Sequence, residues 1–232
     1  MDKPVDKVDN SSSCLLFSRS EPVVGLFVKE PVPGRVKTRL TPPLSSEQAC
    51  QLYRVALQET VERFLTARPT LVLCYAGRRD WFNQSFPGLP LLAQSGDGLG
   101  LRLSNAVQAL FSAGSGPVLL AGSDSPDLPT ARIAEVLVQL QKNDVVTVPC
   151  RDGGFAVVGV RQPTTEVFAG IPWSTPQVLP ATRERCRQLG LSYHETAGWE
   201  DLDELADLQR LVERSPGSRT ARHIVDKLHE LI

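Results

Sequence analysis

Nothing in the sequence is apolar for long. The apolar runs are short, such as Val23-Val24 and, after Gly25, Leu26-Phe27-Val28, far short of the roughly 20 residues a helix needs to cross a bilayer core of ~30 Å. A membrane span is therefore excluded. Cysteines are few and scattered, at 14, 50, 74, 150 and 186, with no CxxC pair and only His194, His223 and His229 as further soft ligands. That spacing argues against a zinc ribbon or a disulfide framework. Met1-Asp2-Lys3-Pro4 lacks the basic-then-apolar order of a secretory signal, so a reduced, cytoplasmic protein is expected. A surplus of positive charge is also missing. Over 232 residues, 25 Lys and Arg stand against 26 Asp and Glu for a formal net charge of -1, which removes the drive that a nucleic-acid binder draws from phosphate neutralisation. Any anion site must be local. Neither GxSxG nor HExxH occurs, and no cysteine has histidine support, so serine-hydrolase, zincin and thiol chemistries are disfavoured.

What is present is an alternation of short β-branched runs with longer segments of helical period. Residues 1–21 hold scattered Ser, Pro and charge without periodicity and read as a flexible tail, leaving 22–232 as one domain. Val23–Val28 reads as a buried strand and Ser45–Ala67 as a helix, with Ser45 and Gln48 spaced as a capping box. Strands are expected at Leu71–Tyr75, Pro117–Ala121, Val145–Val148 and Phe155–Val160, and helices at Leu99–Phe111 and Thr130–Gln141. The last third reads as helix at Pro176–Leu189, a short strand at Leu191–His194, and helices at Leu202–Val212 and Thr220–Leu231. The pattern predicts an α/β fold, a three-layer α/β/α sandwich around a mostly parallel sheet.

In such a sheet ligands gather at the carboxyl ends of the strands. The loop after Val28 carries Lys29, Pro33, Gly34, Arg35, Lys37, Thr38 and Arg39, cations and a hydroxyl suited to a polyphosphate. It lacks the glycine spacing of a Walker A loop; the bland alternative is a solvated basic turn. After Ala121, Gly122-Ser123-Asp124-Ser125-Pro126-Asp127 places two carboxylates at a strand end, a natural seat for Mg²⁺ or Mn²⁺ beside a phosphate. Asp124 is the first candidate, whereas Asp127 has an equally simple reading as a turn or cap residue. Gly98, Gly100 and Arg102 open a helix, where glycines permit close approach of a nucleotide. Asp152-Gly153-Gly154 reads either as part of the site or as a hairpin turn. Trp173 and Trp199 are read as core.

Together these segments resemble a bacterial family of glycosyltransferase-like proteins of the GT-A fold, similar to the molybdenum-cofactor and phospholactate guanylyltransferases, many members of which are labelled arsenosugar-biosynthesis glycosyltransferases. The resemblance runs from Phe27–Leu40 through Gly98–Arg102, Gly122–Leu128, Asp152–Phe155 and Gly170–Pro176 to Asp201–Leu208. It implies that Arg35, Lys37 and Arg39 face nucleotide phosphates, that Asp124 holds the metal, and that Asp203 is a second metal or acceptor-side residue. The chain departs from the family pattern at Ser125, at Phe155-Ala156 and at Glu204-Leu205-Ala206. The expected activity is metal-dependent transfer from a nucleotide-activated donor, a nucleotide sugar or a nucleoside triphosphate, to a small-molecule acceptor. Glycosyl transfer leads; nucleotidyl transfer with release of pyrophosphate, or nucleotide binding without catalysis, are the alternatives.

Overall fold

The computed structural model describes residues 21–67 and 69–231. Four strands, β1 (Val23–Lys29), β2 (Thr70–Ala76), β3 (Leu91–Ala93) and β4 (Val118–Gly122), are followed by β5 (Val145–Pro149), β6 (Phe155–Val160) and β7 (Tyr193–Glu195). They form one seven-stranded sheet in the order β3-β2-β1-β4-β6-β5-β7. All neighbours pair parallel except β6, which runs antiparallel to both β4 and β5. β1 lies between β2 and β4, so successive strands step away from it first to one side and then to the other. The loops leaving β1 and β4 consequently diverge at their carboxyl ends and open a crevice between them.

Among the described residues there are seven α-helices, five beside the sheet and two further out: α1 (Ser46–Leu65), α2 (Arg79–Ser85), α3 (Gly98–Ser112), α4 (Thr130–Gln139), α5 (Val178–Gln188), α6 (Leu205–Arg214) and α7 (Arg219–Leu228). The alternation of strand side chains decides which face each helix covers. Val24, Leu26 and Val28 of β1 join Leu57, Val61 and Phe64 of α1 and Ile133 and Val136 of α4 in one core. On the other face Val23 packs with Leu103, Val107 and Leu110 of α3 and Cys186 of α5. The three-layer sandwich is thus as expected. Outside it lies a third core, in which the outer side of α1, through Ala49 and Leu52, meets Leu208 and Leu211 of α6 and Ile224 and Leu228 of α7.

The capping box at Ser45 and Gln48 forms as the spacing requires, the Gln48 amide donating to Ser45 Oγ at 3.1 Å and the Ser45 amide to Gln48 Oε1 at 2.8 Å. The expectation did not include α2 and β3. Both are too short to show a period, and they form because Phe82 and Leu91 pack against the first core. The C-terminal boundaries also move. α6 starts at Leu205 rather than Leu202, because the Asp207 carboxylate accepts from the amides of Asp203 and Glu204 at 2.9 and 2.6 Å, while Leu202 is buried ahead of the helix. α5 starts at Val178, after a turn at Thr175 whose hydroxyl donates to the Pro172 carbonyl. The cysteines at 50, 74, 150 and 186 are free and buried; Cys14 lies outside the described residues. No helix among the described residues is long and apolar enough to cross a membrane.

One buried carboxylate ties the outer layer down. Glu59 of α1 accepts from the Arg219 and Thr220 amides at 3.1 and 2.8 Å and from Thr220 Oγ1 at 2.6 Å, meeting orphan donors in the first turn of α7 with a negative charge at the positive end of the helix. Glu59→Ala is expected to lower stability by about 2 kcal/mol, the scale of a lost charge-assisted cap. Urea unfolding checks this, with a shifted midpoint and an unchanged slope.

Candidate functional site

Lys37 holds the crevice together. It follows β1 in the loop that leads to α1 and takes a left-handed conformation with φ of 49°, a region that a non-glycine residue occupies at a cost of about 1 kcal/mol or more. That conformation turns its side chain inward until only 3% of it is exposed. There the ammonium is bonded to Asp124 Oδ1 beyond β4, to the Leu202 carbonyl, and to Asp203 Oδ1 at 3.3 Å. Burial alone would pull the Lys37 pKa down; the Asp124 and Asp203 charges outweigh it and hold the pKa above the ordinary lysine value, so the group stays charged. Arg39 Nη1 reaches Asp203 Oδ2 at 3.1 Å from the exposed side. The Leu202 amide donates to the Asp124 carbonyl at 2.8 Å, which fastens the 201–203 segment beside the β4 loop.

The cleft around this pair has a volume of about 590 Å³. Of the candidate residues, Lys37, Thr38, Arg39, Gly98, Arg102, Asp124 and Asp203 line it. Pro33, Gly34 and Arg35 are exposed on the same loop but do not line the cleft. Gly100 faces Trp173 and the Phe168 carbonyl, where a Cβ would come within 2.4 Å of the indole nitrogen, so that glycine serves helix packing. Asp152, Gly153 and Gly154 form the turn between β5 and β6: Asp152 Oδ1 accepts from the Gly154 amide at 2.8 Å, and Gly153 lies against the Pro176 backbone.

The charge of the site extends past Asp124 and Asp203. Asp201 is pushed up to about 6, first by burial and then by Asp203, Asp152 and Asp124. Cys150, Asp152 and Asp201 bring one ligand atom each within 4.8 Å of one another, and the Cys150 thiol is pushed up, by burial and by these acids. For a divalent cation the decisive feature is that Asp124 and Asp203 already converge on one cation, the Lys37 ammonium. Two carboxylates facing an open anion-sized cleft are hard oxygen donors of the kind Mg²⁺ and Mn²⁺ take, so the residues present fit such an ion.

Several lining residues are not among the individual candidates. Tyr53 of α1 and Ser123 meet in a hydrogen bond of 3.0 Å behind the cleft wall. Gln94, after β3, donates through Nε2 to the Val28 and Cys74 carbonyls at 3.2 and 2.7 Å, which fixes its amide and leaves Oε1 as the atom it can offer a ligand. Ser174, at φ 63°, closes another side. The helical period places Tyr53 on the apolar face of α1, where it reads as core; Ser123 and Ser174 fall within the segments 122–128 and 170–176, but no spacing singles out either serine or the lone Gln94.

Asp127 resolves to the structural alternative. Its buried carboxylate accepts from Arg214 Nε at 2.7 Å, Ser215 Oγ at 2.8 Å and Trp199 Nε1 at 3.2 Å, and the Arg214 guanidinium also stacks over Trp199. Burial pushes the Asp127 pKa up, but the bonds from Arg214 and Ser215 more than reverse this and leave it below the ordinary value. A carboxylate with a depressed folded-state pKa adds stability above its unfolded pKa, and that stability is lost as pH falls through the folded value. Asp127→Asn is expected to cost about 2 kcal/mol at neutral pH, since a buried acceptor loses its charge-assisted bonds to Arg214, which keeps Glu200 as its other partner. The difference from wild type should shrink below about pH 4, in thermal unfolding followed across pH.

Comparison with known proteins places the chain in a family. Residues 57–175 match the model of the family described as "Uncharacterized protein conserved in bacteria (DUF2064)". A Desulfovibrio desulfuricans protein provisionally assigned as a nucleotide-diphospho-sugar transferase is 33% identical, with a TM-score of 0.82 over 89% of this chain and 95% of that one. A manganese complex of Rv0371c from Mycobacterium tuberculosis is 15% identical, with a TM-score of 0.55 over 84% of this chain and 100% of that one. A cytidylyltransferase from Leptospira borgpetersenii is 10% identical, with a TM-score of 0.55 over 87% of this chain and 98% of that one; these last two likenesses are of fold. No curated protein matches the sequence. The chain belongs to the DUF2064 family.

Proposed function

We propose that this DUF2064 protein is a transferase that binds a nucleotide-activated donor in the cleft between the β1 and β4 loops, with a divalent cation held by Asp124 and Asp203. The observation that carries the reading is the buried Lys37 ammonium set between those two carboxylates at the carboxyl ends of β1 and β4. The name given to the Desulfovibrio relative supports the donor class, a nucleotide diphospho-sugar.

The reaction favoured is glycosyl transfer to a small-molecule acceptor, of which the arsenosugar type is the finer form. The acceptor hydroxyl oxygen forms a bond to the anomeric carbon, the bond from that carbon to the diphosphate oxygen breaks with its electron pair staying on the diphosphate, and the hydroxyl proton is released to water. When bound, Mg²⁺ or Mn²⁺ would neutralise charge growing on the leaving group. Lys37 supplies a fixed positive charge at the same spot, its three N–H groups being taken by Asp124, Leu202 and Asp203, and preorganised charge placed there lowers a barrier. Arg39, Thr38 and Arg102 line the cleft around it and suit the remaining phosphate oxygens. Gly98, at the start of α3, lets the donor approach the backbone. Nucleotidyl transfer would use the same diphosphate contacts but attack the α-phosphorus, so the product released separates the two.

Titration calorimetry with UDP and GDP, with and without Mn²⁺, tests binding; an assay of released nucleoside diphosphate against pyrophosphate tests the reaction. Asp124→Asn, which keeps an oxygen acceptor for Lys37, should abolish the Mn²⁺-dependent part of nucleotide binding; unchanged Mn²⁺ dependence would remove Asp124 from the site. Lys37→Ala should weaken diphosphates about tenfold or more, as for the loss of a fixed positive charge beside them, and nucleosides much less. Equal weakening of both would make Lys37 a structural residue.

A further inference from the structure

A polar chain lies along the cleft wall, and its first donor is fixed. The amide of Lys29, the last residue of β1, lies 3.0 Å from the Tyr53 phenol oxygen, which lies 3.0 Å from Ser123 Oγ. An amide N–H only donates, so the phenol oxygen accepts from it. Tyr53 then has one proton to place. Burial, with Asp124 adding to it, pushes the phenol up to about 12, so the proton is present at neutral pH. Among the described residues Ser123 Oγ is its one acceptor. With Tyr53 donating, one of the two directions that this contact allows, the Ser123 hydroxyl keeps its own proton and has no further protein acceptor among the described residues. Ser123 is 4% exposed, lines the cleft and directly precedes Asp124. A buried hydroxyl proton without an acceptor is costly, and the surface it borders is the one facing the anion end of the cleft.

We propose that Ser123 Oγ donates its hydrogen bond to an anionic diphosphate oxygen of the donor nucleotide, and that Tyr53 is the positioning residue that forces Ser123 to be a donor there. This rests on the nucleotide-donor reading given above. It assigns a ligand-binding role to a residue outside the cation loop and the carboxylates. It also explains why a phenol from the first helix is spent on joining the ends of β1 and β4.

The test uses the full chain in Mn²⁺, titrated with GDP, UDP and inorganic pyrophosphate, for wild type, Ser123→Ala, Ser123→Thr, Tyr53→Phe and Asp124→Asn. Thermal unfolding and titration with Mn²⁺ alone are recorded beside each. Ser123→Ala should weaken all three diphosphate probes by about tenfold or more while Mn²⁺ binding stays at the wild-type value, and Ser123→Thr, which restores a hydroxyl, should recover most of the loss. Tyr53→Phe should weaken the same probes by about threefold, since the serine keeps its proton but loses its fixed orientation. If Ser123→Ala binds like wild type while Asp124→Asn loses the diphosphates, the inference falls and the donor reading stands. A loss seen with GDP and UDP but absent with pyrophosphate places the hydroxyl on the nucleoside and overturns it. Failure of wild type to bind any diphosphate overturns the donor reading and the inference together.

Discussion

A single buried ammonium is the constraint on which the site depends. Lys37 reaches across the crevice to three segments far apart in the chain: its own loop after β1, Asp124 after β4, and Leu202-Asp203 ahead of α6. Removing an ammonium from water is expensive, and the expense is met only when opposite charges and a carbonyl surround it. Each of the three segments is therefore held where the ammonium needs it. The left-handed backbone at Lys37 is the local strain that goes with this placement, and it occurs where strain of that kind is commonly found, at a site with work to do.

Other ties serve the same geometry. Tyr53 bridges the ends of β1 and β4 from behind. Asp127 binds the end of α6 through Arg214 and Ser215, so the helix that follows Asp203 is anchored to the loop that carries Asp124. Glu59 holds α7 against α1 and closes the third core over α6. The carboxylates of Asp124, Asp152, Asp201 and Asp203 crowd one side strongly enough to raise Asp201. Lys37 and Arg39 lie directly against two of them, Asp124 and Asp203. A near-neutral chain thus contains a steep local field, the arrangement expected for handling one small anion together with a cation.

The frame was legible in the sequence because hydrophobic period speaks directly about it. β-branched runs at 23–28, 71–75 and 145–148 and the one-sided apolar pattern of 45–67 follow from the rule that each element buries one face, and the strands and helix observed lie within a few residues of those bounds. The elements missed, α2 and β3, are seven and three residues long, too short for a repeated period to stand out. The three loops after β1, β4 and β5 could be ranked as places to look because strand ends are where a parallel sheet leaves backbone and side chains open.

Which residues of those loops meet was decided only by the tertiary structure. Asp124 and Asp127 are three positions apart and chemically identical, yet one faces the cleft and the other pairs with Arg214 inside the fold. Gly98 and Gly100 are two apart, yet one borders the cleft and the other makes room for Trp173. Composition and spacing determined the layered α/β frame, the absence of a long apolar span and a cation loop beside acidic strand ends, since these depend on local pattern. The pairing of Lys37 with Asp124 and Asp203, and the clasp from Tyr53 to Ser123, depend on contacts 70 to 166 positions apart. No local pattern encodes those distances; they arise when the sheet order places β1 beside β4 and the C-terminal segment closes over both.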